Sequence, residues 1–470
     1  MKPISGKVIA VAENLHNSAT LFLSRYHNVP LLIITIFCFL FWKGNNYFFY
    51  NDEWIYLYRL QDFDIRYVFT PHGSHFIPLS KLFFFLQMRL FGLHFNWYHY
   101  LTLVEWSVAC FLFYRFISGE IFSLPVSLLL SIFIAVHPSV FTNVLLNFES
   151  FGNVQILFLL ATLLSLSKYF KSKNILFLFL SMVFLIIQNY VWANGVFYPL
   201  VCILMVYFYL PNADTNKKIV LTLFGLLMFI FIASPFLSVH FIKDPRNYSP
   251  ELSLVERLSN NFGLFLAYFF KITSLHLSRL IFLAKQEFLF KCIANILFYG
   301  LMAAAIYFSN RTQRKKIIVA FTLYFASIVT IALGRFDKYI AWHYFGFTCI
   351  PLTCLIALCI YMVYVQRLKH VRLIPIVLVL YMVLSIAISY SPDRKKVNKI
   401  RNEYSLNYLD FQECIEGKKT EYTPPFDPLF YGSNIDKIYF KSYVLTDTAG
   451  FTNFTLAKEA IYDCKNKAIF

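Results

Sequence analysis

The residues best suited to chemistry lie between positions 50 and 80. Tyr50-Asn51-Asp52-Glu53-Trp54 sets two adjacent carboxylates among aromatic residues, and Asp62-Phe63-Asp64 adds two more acids. Phe69-Thr70-Pro71-His72-Gly73-Ser74-His75-Phe76-Ile77-Pro78-Leu79 then carries two imidazoles three residues apart. A carboxylate partly withdrawn from water holds its proton more tightly and can act as a general base toward a hydroxyl. Two neighbouring carboxylates can instead hold a divalent cation, Mg or Mn, through oxygen ligands; metal ligation is left open. His72 and His75 supply hydrogen-bond donors or proton shuttles. The bland alternative is a solvated loop beside an interfacial aromatic belt.

The elements that must position these residues follow from composition. Of 470 residues, 59% are hydrophobic and only 14% charged, against about a quarter charged in soluble domains. The chain has too little polar surface for a soluble protein, which leaves an all-α polytopic integral membrane protein. Apolar runs near the roughly 20 residues that a spanning helix needs fall at 29–44, 97–114, 120–138, 153–169, 174–191, 194–211, 218–240, 288–309, 317–334, 341–365 and 372–390. This gives about 11 transmembrane helices in a domain over 1–390. The stretch 261–284, interrupted by Lys271, His276 and Arg279, reads as interfacial or re-entrant.

The net charge of +17 would suggest nucleic acid in a soluble chain, but its distribution argues otherwise. With the N-terminus in the cytoplasm, that side collects sixteen basic residues, among them Lys168, Lys171, Lys173, Arg311 and Arg314, against three acids, Glu13, Glu120 and Asp214. The charge is thus a topology signal, and no nucleic-acid partner is expected. The loops at 45–96, 139–152, 241–287 and 335–340 and the tail 391–470 fall outside. The tail reads as a small extracytoplasmic domain, with a helix over 396–416, a strand over 438–445 and a closing helix over 456–466. Cys414 and Cys464 stand alone in it and can form a disulfide in an oxidising compartment. Seven other cysteines lie in apolar runs, where a thiol acts as a small hydrophobe. Asn247-Tyr248-Ser249 and Asn453-Phe454-Thr455 match glycosylation sequons.

The order of features resembles the GT-C superfamily of polytopic glycosyltransferases, which use polyprenyl-phosphate-linked sugars. The features are the acid pair after the first apolar run, the His75-Phe76-Ile77-Pro78-Leu79 stretch, Arg89-Leu90-Phe91-Gly92-Leu93, Trp97-Tyr98-His99, and then His137-Pro138 and Glu149-Ser150-Phe151-Gly152-Asn153. The resemblance covers residues 45–155. It implies inverting transfer on the outer face, with Asp52 as the base that activates an acceptor hydroxyl, Glu53 assisting, and Glu149 as the second acid of a later loop. It also implies a lipid phosphate, for which Arg335 and Lys338 in Gly334-Arg335-Phe336-Asp337-Lys338-Tyr339 offer a bidentate and a point-charge contact. Alternatively, both snorkel to headgroups.

The expected partners are a polyprenyl-phosphate-linked sugar donor, a glycan, lipid-linked or protein acceptor, and membrane lipids. The expected location is a bacterial inner membrane, and the expected product a modified surface polysaccharide such as O-antigen. An O-antigen polymerase and a transporter or flippase for lipid-linked glycans are the alternatives. Glu105, inside a predicted span, is expected as a protonated carboxyl bonded to a neighbouring helix, and Gln155, Gln188, Asn189 and Asn194 as interhelical hydrogen-bonders. The segment 188–194 could also touch acceptor sugar.

Overall fold

The computed structural model describes residues 4–42, 63, 65–69, 76–92, 94–120, 122–137, 140, 144, 151–192, 195–212, 214, 216–241, 254–282, 288–335 and 345–367, and single positions or pairs between 406 and 469. Among these, the regular structure is helical apart from three two-residue strands near the C-terminus. In chain order the helices are α1 (Ile4–Arg25), α2 (Val29–Trp42), α3 (Ile65–Phe69), α4 (Pro78–Phe91), α5 (Phe95–Glu120), α6 (Leu124–Val136), α7 (Phe151–Ser172), α8 (Ile175–Val191), α9 (Tyr198–Tyr209), α10 (Asn216–Phe241), α11 (Leu254–Phe282), α12 (Phe288–Phe308), α13 (Arg311–Arg335) and α14 (Phe345–Arg367).

The chain's punctuation sets these boundaries. α4 begins on Pro78 and stops at Gly92, whose φ of +54° suits glycine and whose N–H closes the helix on the Met88 carbonyl at 2.8 Å. α6 starts beside Pro125 and ends at His137, before Pro138. α8 is capped by Asn174, whose side-chain oxygen accepts from the Leu176 N–H at 2.9 Å. At the start of α13, Asn310 and Gln313 bond each other's backbone N–H reciprocally, both at 2.9 Å. That pairing is a capping box, and it permits the two-residue connection between α12 and α13.

Among the described residues, five segments are long and apolar enough to cross a bilayer: Asn96–Ser118, Phe151–Ser172, Asn216–Ser234, Lys291–Phe308 and Arg311–Leu333. A sixth candidate is the pair His16–Arg25 and Val29–Trp42, bent by 104°. The chain is thus a helical membrane protein. Eleven spans are more than these helices supply. The runs at 120–138 and 194–211 form helices of 13 and 12 residues, about 20 and 18 Å long at 1.5 Å per residue, against a hydrocarbon layer of about 30 Å. Proline and glycine at their edges end them early. The run at 372–390 lies outside the described residues.

The stretch around 261–284 is also more regular than its charges suggest, because it belongs to the continuous 29-residue helix α11. Lys271 points outward, while His276 is fully buried and its Nδ1 meets the Thr348 hydroxyl of α14 at 2.8 Å. The Asn295 amide of α12 donates to Ser274 at 2.7 Å, and Phe269 packs on Phe325 of α13. The second half of α11 is therefore seated within the bundle.

In the tail, the described positions 406, 409, 410 and 413 are helical, and the rest of the helix expected over 396–416 lies outside the described residues. Tyr462–Asp463 instead pairs antiparallel with Glu421–Tyr422 and Ala468–Ile469, so the closing helix expected over 456–466 gives way to a strand at its end. The strand expected over 438–445, Cys414, Cys464 and both sequons lie outside the described residues. The seven described cysteines are unbridged, and all except the half-buried Cys292 are buried.

Candidate functional site

Side-chain contacts sort the helix termini into two ends. At one end, Lys173 in the α7–α8 turn pairs with Asp214 in the α9–α10 connection at 2.7 Å. Lys217 closes the C-terminus of α9, donating to the Tyr207 and Leu210 carbonyls at 2.9 Å and to Asn212 at 2.8 Å. Here a lysine takes over the carbonyls that a helix end leaves open. Lys315, just inside α13, reaches the Phe208 carbonyl at 3.4 Å, and Phe122, after α5, packs edge-on against Tyr361 near the end of α14. The Lys173 ammonium and the Asn216 N–H both bond the Asp214 carboxylate and hold it below the usual carboxylate range.

At the opposite end, the Trp42 and Trp106 indoles both donate to the Ala135 carbonyl, at 2.8 and 3.2 Å. Ser80 bonds the Val191 carbonyl, and the Gln155 amide donates to the Trp192 carbonyl at 2.7 Å. Phe84 packs on Tyr98 and on Phe151, and Phe76 on Tyr190. The termini of α2, α4, α5, α6, α7 and α8 thus meet here, and antiparallel α13 and α14 bring Arg335 and Phe345 to the same end.

Asp52, Glu53, His72, His75, Glu149 and Lys338 lie outside the described residues, as does the side chain of Arg335. Their flanks are described. Trp42, Phe69 with Phe76, His137 with Phe151, and Arg335 with Phe345 all belong to the end opposite the basic cluster. Among the described residues, no group of three His, Cys, Asp or Glu could hold a metal ion.

Around these flanks the structure gathers buried polar side chains. Lys81, fully buried on the first turn of α4, donates to the Tyr67 carbonyl at 2.9 Å and stands 4.2 Å from the centre of the Tyr67 ring. A buried ammonium is costly unless anionic or dipolar groups surround it, and Lys81 places such a cation at the end where the acid-pair and histidine segments have their flanks. Lys81 is not among the candidates read from the sequence, although its place three residues after Pro78 and before Phe83-Phe84-Phe85 is a usable signal. Gln155 does link α7 to the end of α8, as expected of an interhelical bond. Gln188 is fully buried, yet neither atom of its amide has a partner among the described residues, and neither does Asn189 Oδ1. Asn194 lies outside the described residues. The enclosed Glu105 Oε2 likewise has no hydrogen-bond partner among the described residues, so the expected bond to a neighbouring helix is not made by that atom.

Comparison with protein-family models, with curated proteins and with solved structures finds no match. The class defined by the fold is therefore a helical membrane protein with one basic end and one end lined by buried polar and aromatic side chains.

Proposed function

We propose that the chain is a GT-C-like membrane glycosyltransferase that moves a sugar from a polyprenyl-phosphate carrier to an outer-face acceptor, such as a surface polysaccharide, with inversion. The observation that carries this reading is the segregation of the termini. The acid-pair, histidine, Glu149 and Arg335–Lys338 segments all have their flanks at the end away from the basic cluster. By the positive-inside rule that cluster faces the cytoplasm, so the candidate residues belong outside, where a lipid-linked sugar would be used. The location that follows is a bacterial inner membrane with the N-terminus inside and the tail outside.

In this mechanism Asp52 takes the proton of the acceptor hydroxyl, and Glu53 orients the hydroxyl or the base. The hydroxyl oxygen forms a bond to the anomeric carbon from the face opposite the carrier. The bond from that carbon to the phosphate oxygen breaks, and the electron pair leaves with the phosphate. Arg335, Lys338 and the buried Lys81 neutralise the negative charge that develops there, with His72 and His75 as further donors. Glu149 binds acceptor hydroxyls. A divalent cation, Mg or Mn, held by Asp52 and Glu53 would serve the same phosphate.

The test compares cells with and without the gene by mass spectrometry of polyprenyl-phosphate sugars and of surface glycan. Loss of one sugar unit from the glycan with accumulation of its lipid-linked donor is the expected result. An unchanged donor pool and an unchanged glycan would contradict it.

A further inference from the structure

The N-terminal helix α1 has no part in the mechanism above. Its described second half, His16–Arg25, is turned 104° from Val29–Trp42. α2 runs from the basic end to Ala135 at the other, and α1 packs on α6. A segment turned by that angle from α2 lies across the bundle end, not along the bundle.

Its surface suits that position. Leu23 is buried against the bundle, while Phe22 and Tyr26 are half-exposed and Leu21 is 71% exposed. Asn17 falls about 140° away from Phe22 at 100° per residue, and it is exposed. The same end presents the exposed cations Arg25, Arg115, Lys168, Lys171, Lys218 and Arg311, and Asp214 there is paired with Lys173.

We propose that α1 is an interfacial helix seated in the headgroup layer, and that the basic end beside it binds anionic phospholipid. The occupant is the bilayer surface itself, chosen by charge complementarity and by the orientation of the helix. The proposal does not depend on the glycosyltransferase reading.

The test places single cysteines, Asn17→Cys and Phe22→Cys, in the full chain in nanodiscs and measures labelling by a water-soluble maleimide. The native chain gives the background rate. In discs containing phosphatidylglycerol, position 22 should react at least about tenfold more slowly than position 17, as an apolar face in the acyl boundary requires. In detergent the two rates should converge. Replacing phosphatidylglycerol by phosphatidylcholine should raise the rate at 22 several-fold, and adding inorganic phosphate should not restore protection.

Equal rates in discs would show a water-exposed arm, and protection of both positions would show a continuation of the span. Either result would overturn the interfacial seat. Protection indifferent to phosphatidylglycerol, or restored by inorganic phosphate, would overturn the claim of headgroup binding.

Discussion

Trp42 and Trp106 share one acceptor, the carbonyl oxygen of Ala135, at 2.8 and 3.2 Å. Ala135 lies in the last turn of α6, where helix carbonyls lose their internal partners. Both indoles are buried, so the pair ties α2 and α5 to the end of α6 directly before the segment that leads to Glu149. Replacing either tryptophan by phenylalanine leaves one donor and should cost about 1 kcal/mol. The double replacement strands a buried carbonyl and should cost more than the sum of the single changes. Thermal unfolding of the purified chain and its variants measures this, and strict additivity would contradict a shared acceptor.

A Cβ added at Gly195 would run into the terminal amide of Gln188, a side chain that burial keeps from swinging away. Gly195→Ala should therefore destabilise the chain by about 1–3 kcal/mol through overpacking. Adding Gln188→Ala removes the obstructing amide and should recover part of the loss, as coupled neighbours do. Equal losses with and without the second change would show that the strain lies elsewhere.

The clasp between Lys173 and Asp214 should make stability depend on pH. The Lys173 hydrogen bond comes first among the causes that lower the Asp214 carboxyl, followed by the Asn216 N–H. A group depressed in the folded state adds stability above its unfolded value and loses it as pH falls through its folded value. The contribution should thus be present at neutral pH and fade below the ordinary carboxylate range. Comparison of melting curves for the native chain and Asp214→Asn should show a gap that closes on acidification. A gap that widens would contradict the assignment.

Lys81 is assigned to the leaving phosphate. Lys81→Met should abolish transfer and leave lipid-linked donor accumulated, whereas Lys81→Arg should keep part of the activity, since both cations bind phosphate with different geometry. Immunoblots and gel filtration separate this from misfolding. Full activity of a correctly folded Lys81→Met would remove Lys81 from the site.

The helical bundle was legible because apolar runs and basic turns leave strong marks. The basic turns mark one side in the sequence, and the contacts of Lys173, Lys217 and Lys315 put them at one end. Helix length within the apolar runs was less legible, because hydropathy does not register that Pro125 and Pro199 sit in the first turn of α6 and α9 and so set where each begins. The continuity of α11 was hidden by Lys271 and His276, since a sequence does not show that Thr348 of a distant helix supplies a partner. Lys81 was missed because its burial is a tertiary fact, created by Tyr67 folding over it. Asp52 and Glu53 stand on their adjacency in the sequence and on the family resemblance, since both lie outside the described residues.

The central claim is therefore tested most directly at Asp52. Cells carrying the native chain, Asp52→Asn or no chain are compared by mass spectrometry of the polyprenyl-phosphate sugar pool and of the surface glycan, with equal expression shown by immunoblot. The account predicts that Asp52→Asn matches the null strain, with a hexose-sized unit missing and the donor accumulated. Glycan and donor levels equal to those of the native strain would contradict it and turn attention to a polymerase or a transporter.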